Sequence, residues 1–324
     1  MTSKLTLATL GLFTLAGCAQ QFMAEPPVAP PLETAALPAP VSPVPPAPAA
    51  HTQKPARPQD STLGDYYQLV QNRLLRQGLL RTDRGGADTP WDADRLARTF
   101  FDLAFYEEYA PNSGVHTAQL TRANLRRFDK PVRIEMRFGD SVPAEMEASD
   151  RAEVRSYADR LSRATGHPVS TVGSGGNFII FVVDEDERRS LGPELKRLAP
   201  GLTDQALNTL LDLPQTTYCV VFAVDNFNNN KYSRAISIIR AEHPDLLRQS
   251  CYHEEIAQGL GMSNDSPRAR PSIFNDDEEF ALLTDMDERL MGILYDPRLR
   301  AGMSLEEARP LVRLIAEERA GGSY

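Results

Sequence analysis

The chain has 324 residues and a net charge of −9, from 44 Asp and Glu against 35 Lys and Arg. That balance excludes a general nucleic-acid binder, which would carry a basic stripe. Hydrophobic residues make up 41% of the chain, enough for the core of one large domain or two small ones.

The chain opens outside that core. Lys4 precedes an apolar run, Leu5 to Leu15, and small residues lead to Cys18. This pattern predicts a signal peptide over 1–17, too short to span a bilayer as a stable helix. Leu15-Ala16-Gly17-Cys18 resembles the bacterial lipobox. The resemblance implies cleavage before Cys18 and lipidation of its thiol; the alternative is an ordinary signal with a chance Cys. Residue 19 is Ala rather than Asp. By the sorting rule of enterobacterial lipoproteins, that implies an outer-membrane anchor on the periplasmic side. The inner membrane and the cell surface are the alternatives. The lipid would supply the membrane contact.

Residues 18–60 form a tether. The stretch 19–60 holds 12 of the 25 prolines. It predicts a semi-stiff polyproline spacer with no core of its own. An exported domain with two remaining cysteines, Cys219 and Cys251, is a disulfide candidate; two buried free thiols are the alternative.

Residues 61–92 read as a peripheral helix and a Gly/Asp/Pro break, and 93–324 as the main domain. ADRLARTFFDLAFYEEY predicts a helix over 93–109. PVRIEMRFG alternates Val132, Ile134, Met136 and Phe138, which predicts a strand. RAEVRSYADRLSRATG predicts a helix stopped at Gly166. FIIFVV, continuously apolar, predicts a central strand. An inserted helical pair follows over 190–214. YCVVFAVDN and RAISIIRAE, joined by a polar loop, predict an antiparallel hairpin. A helix opens at Pro244 and Asp245. Thr284 caps the next, and Ser304 with Glu307 forms a capping box for the last. FNDDEEF (274–280) reads as a solvated acidic loop, with Ca²⁺ binding as the weaker reading. The five His residues, 51, 116, 167, 243 and 253, show no ligand spacing and read as surface or loop.

The chemistry concentrates in CYHEEIAQGLGMSND, 251–265. On a helical wheel Tyr252, Ile256 and Leu260 form an apolar stripe. Leu247, Cys251, Glu254 and Gln258 form the opposite one, with Glu255 at its edge. His253 falls off that polar face. The plainest reading is an amphipathic helix with a solvated Glu/Gln face. A zincin helix needs His at i and i+4, with Glu at i+1 as base. Started at His253, that frame meets Ala257 and fails. Started at Glu254, it places Glu255 at the base and Gln258 at the second ligand. Gly261 and Asn264 then take the Gly and third-ligand places of the metzincin pattern.

Leu260-Gly261-Met262 and the later LLTDMDERLMGILYDP resemble a zincin or metzincin framework. So does the order of strand, helix, FIIFVV strand and hairpin. The resemblance covers about 131–297. It implies an α+β, zincin-like domain with a twisted mixed sheet, an active-site-type helix and a small helical C-terminal part. It implies Glu255 as catalytic base and Glu254, Gln258 and Asn264, with Asp265 adjacent, as the metal positions. All three His places are replaced, so the expectation is no cofactor and a cleft that holds an envelope protein or peptide without cutting it. A hydrolase using these oxygen ligands with a divalent metal is the second reading, and an envelope scaffold is the third. The segments CYHEEIAQGLGMSND, RPSIFNDDEEFALLT and LYDPRLRAGM also resemble an uncharacterised family of bacterial lipoproteins, domain of unknown function 2927. That resemblance brings no established activity.

Overall fold

The structure, a computed structural model, describes residues 61–109, 118–275 and 277–321. The expected signal peptide, Cys18 and the tether lie outside the described residues, as do His51 and His116. No helix among the described residues is long and apolar enough to cross a membrane.

Helix α1 (Ser61–Arg76) buries Leu63, Tyr67, Val70 and Leu74, spaced three or four apart on one face. These four belong to the main hydrophobic core. The Tyr67 hydroxyl donates to the Gln215 carbonyl (3.0 Å), and the Gln71 side chain accepts from the Leu247 N–H (3.0 Å). The segment expected to be peripheral is therefore packed into the domain. Helix α2 (Ala93–Ala104) starts on an Asp92 cap and ends earlier than the apolar pattern predicts. Tyr106–Tyr109 form strand β1 instead, paired antiparallel with β2 (Ala118–Arg122). Aromatic residues suit a strand as well as a helix, and tertiary pairing decided between them.

Strand β3 (Val132–Phe138) leads into the long helix α3 (Ala144–Thr165), which Gly166 ends at φ 67. Strands β4 (Val169–Val172) and β5 (Phe178–Val183) follow, then three short helices: α4 (Glu185–Ser190), α5 (Gly192–Leu198) and α6 (Asp204–Leu211). The hairpin β6 (Cys219–Val224) and β7 (Arg234–Arg240) precedes α7 (Asp245–Leu260). Helices α8 (Asp285–Leu294) and α9 (Leu305–Ala320) close the fold on the capping boxes of Thr284 and Ser304.

Five strands form a sheet in the order β4-β3-β5-β7-β6. All its pairs are parallel except β6 with β7. The fold is thus mixed α/β with a mostly parallel sheet. Strand β5 lies in the middle and is buried along its whole length. Its residues alternate between two cores: Phe178, Ile180 and Val182 in the larger, Ile179, Phe181 and Val183 in the smaller under Leu195, Leu198 and Leu210. Burial on both faces explains the uninterrupted apolar run.

Candidate functional site

Helix α7 lies against the larger-core face of the sheet. Its stripe Cys251, Glu255, Gly259, spaced four apart, faces the strands. Cys251 is joined to Cys219 at the start of β6 by a disulfide. A Cβ on Gly259 would stand 2.6 Å from the Phe178 ring and 3.0 Å from Val221. Glycine is thus what lets helix and sheet approach this closely. Glu255 shares that stripe and is 4% exposed. It is a buried residue, not part of a solvated face.

The next flank of α7 packs on α3 through polar groups. Arg248 donates to both oxygens of Asp150 (2.9 and 3.1 Å) and to the His243 carbonyl (2.7 Å). The Tyr252 hydroxyl donates to Asp150 (2.8 Å). Arg248 and Asp150 are both buried. His253 is buried as well, which corrects the reading of it as a surface residue. Its ring stacks on Tyr157 with centroids 4.0 Å apart. Its Nδ1 accepts from the Leu283 N–H (2.9 Å), so Nε2 carries the proton and donates to Glu153 (3.1 Å). Both ring nitrogens are engaged, so this imidazole has no lone pair to give a metal. Sequence periodicity showed Val154, Ala158 and Leu161 on α3 but passed over Asp150, Glu153 and Tyr157, which hold α7 in place. Their three- and four-residue spacing was the available signal.

His243 is buried too, edge-on to Tyr67 (centroids 4.4 Å). Burial, then the charges of Arg240 and Arg248, hold its pKa well below the ordinary value. Burial also lowers that of His253, against the pull of Glu153. With folded values below the unfolded one, the unfolded chain binds more protons in mild acid. Their contribution is full above about pH 6.5 and is lost as the pH falls toward the folded values. Burial raises the carboxyls of Glu242 and Asp287, which act in the opposite sense. Comparing wild type with His243→Phe isolates one imidazole. Denaturation midpoints should drop between about pH 7.5 and about pH 5.5 in wild type, and by less in the variant.

The remaining flank of α7, away from α3, carries Glu254 and Gln258, both half-buried. Gln258 donates to Asp265 (2.8 Å). Asn264, though buried, spends its amide N–H on the Asp102 carbonyl at the end of α2 (2.9 Å). The structure thus brings Gln258 and Asp265 together and ties Asn264 to another helix. No group of three or more His, Cys, Asp or Glu side chains among the described residues is arranged to hold a metal. The zinc that the zincin resemblance implies does not fit this donor set: its imidazole places hold Glu254, Gln258 and Asn264, and an amide oxygen is a poor zinc ligand. In the expected acidic loop, Phe274 and Phe280 are buried and Glu279 is paired with Arg81 and Arg270. That loop is anchored rather than solvated. Asp287 holds its other end, accepting from Ser272, Ile273 and Thr284.

The end of α7 is fixed in two ways. The Tyr295 hydroxyl donates to the Leu260 carbonyl (3.0 Å). Gly261 turns the chain at φ 135, where an added Cβ would lie 2.4 Å from the Arg126 carbonyl oxygen. That turn carries the chain to Asp265 and its contact with Gln258.

Fold and site define a mixed α/β domain whose partly polar, buried helix packs on a mostly parallel sheet and against α3. The chain belongs to the family described as protein of unknown function (DUF2927), whose model matches residues 93–314. No curated protein and no solved structure matches the chain.

Proposed function

We propose that this is a lipid-anchored cell-envelope protein whose zincin-like domain holds an extended peptide or partner segment without cleaving it. The observation that carries the reading is the position of β6. It ends the sheet order, is antiparallel to β7, and reads Cys-Val-Val-Phe-Ala-Val. Apart from Val220 it is only half-buried. An edge strand with neither charge nor proline lacks the usual protection against pairing, and it is a template for strand addition. Its six residues offer about 20 Å of backbone.

The flank of α7 bearing Glu254 and Gln258 turns to the same side. Helix α3 packs toward β4, at the opposite end of the sheet, and α7 toward β6 and β7. The edge and that flank therefore lie toward the same end of the sheet, and we take them as the two walls of the peptide site. The zincin-like reading draws support from the strand, helix, buried strand and antiparallel hairpin ahead of α7. The hydrolase reading needs Glu255 to reach a substrate, and its place on the sheet-facing stripe argues against that role. The membrane anchor and the periplasmic side of the outer membrane rest on the Cys18 pattern, and the tether on the prolines of residues 19–60. The test is peptide binding by the purified protein, with metal content and peptide integrity measured together.

A further inference from the structure

Independently of that reading, we propose that Cys219–Cys251 is an exchangeable disulfide, opened by a dithiol of the Cys-x-x-Cys oxidoreductase class that attacks Cys219 and expels Cys251 toward His243. The two sulfurs differ in access. Cys219 is the half-buried first residue of an edge strand, whereas Cys251 is 2% exposed on a packed helix. Cys219 is the more exposed of the two residues, and the attack is assigned to it.

The leaving side is prepared for a thiol. Nδ1 of His243 lies 3.8 Å from the Cys251 sulfur. Its Nε2 is buried without a hydrogen-bond partner. Tyr67 and Tyr218 cage the ring edge-on. Neutral imidazole has one acceptor nitrogen, and a disulfide sulfur has no proton to donate. In the closed state the sulfur can therefore only accept, weakly, from an Nδ1–H. Once Cys251 is a thiol, its S–H donates to Nδ1 at the same place. Reduction thus adds a donor that the oxidised sulfur lacks, and the contact to the imidazole strengthens.

The steps balance. A reductant thiolate bonds to the Cys219 sulfur, and the S–S electron pair leaves on Cys251. The proton released by the reductant thiol neutralises Cys251, which then donates to His243. The second reductant thiol attacks its own mixed-disulfide sulfur and frees Cys219. Two electrons and two protons pass to the protein, and the reductant ends as a disulfide. Opening it removes the covalent link between β6 and α7.

The experiment equilibrates the oxidised full chain in graded ratios of reduced to oxidised dithiothreitol, then alkylates and weighs it. Far-UV circular dichroism follows the fold in parallel. Wild type should open while folded. His243→Phe, which keeps the ring between the tyrosines, should have an opening equilibrium constant lower by about fivefold, the worth of one hydrogen bond. A Cys-x-x-Ser oxidoreductase should trap a mixed disulfide on Cys219 of the wild type, a result that stands even if the variant does not fold. Equal opening in a folded variant, opening only on unfolding, or trapping on Cys251 would overturn the proposal.

Discussion

Asp150→Ala should cost about 3–5 kcal/mol, the largest single loss expected in this protein. The substitution leaves Arg248 with no carboxylate on α3, although its side chain is only 4% exposed. It also removes the acceptor of the Tyr252 hydroxyl. Removing one partner of a buried pair is far costlier than replacing both, and Arg248 would keep only the exposed Asp245 carboxylate (2.9 Å). A typical domain has about 5–15 kcal/mol in total, so the variant should sit near its unfolding transition. Urea denaturation would show this as a lower midpoint with little change of slope. Asp150→Leu combined with Arg248→Met should recover much of the loss. A loss below about 1 kcal/mol for Asp150→Ala would mean that the pair is not buried and that α3 does not position α7 this way.

Gly261→Ala should be nearly as damaging, at about 2–5 kcal/mol, because two costs coincide. The φ of 135 is strained for any residue with a Cβ. The added atom would also collide with the Arg126 carbonyl oxygen at 2.4 Å and press on Leu294 at 3.1 Å. Gly78 is the control. It has φ 78, but a Cβ there would meet nothing within 4 Å. Gly78→Ala should pay only the backbone cost, about 1–2 kcal/mol. Equal effects at the two sites would remove the close approach to Arg126 from the account. The difference matters for the cleft, since Gly261 directs the chain that sets Asp265 against Gln258.

Much of this fold was legible in the sequence, where one physical signal dominated. FIIFVV could hardly be anything but a central strand, because six apolar residues in a row need burial on both faces. Gly166, Thr284 and Ser304 marked helix ends through local chemistry that tertiary packing did not override. The hairpin of β6 and β7 followed from two apolar runs around an Asn-rich turn. The reading failed where a pattern was compatible with two states. Residues 106–109 continued the helical run but paired as a strand. Short β4, four residues long, had too few positions to show a period.

The site was legible in part. Helical phase placed Gln258 beside its neighbours, and Asp265 came next to it through the Gly261 turn. It also drew Glu255 and His253 as flanking or solvated, because a wheel cannot tell a buried polar face from a wet one. What hides there is the complement on α3: Asp150, Glu153 and Tyr157 satisfy α7's polar groups, and the pairings span 96–102 residues of sequence. A buried charge is stable only with its partner, and no local pattern names a partner that far away.

The central claim is a peptide-holding cleft at β6 that does not cut. Its most direct test incubates the purified protein with a library of extended peptides, with and without added zinc. Bound peptide is recovered and weighed, metal is measured on the same sample, and the best binder is remade with N-methyl groups at alternate backbone positions. The account predicts intact peptide, no stoichiometric zinc, and binding lost on methylation in only one of the two alternating registers, as pairing along one strand edge requires. Cleaved peptide together with stoichiometric zinc would contradict it.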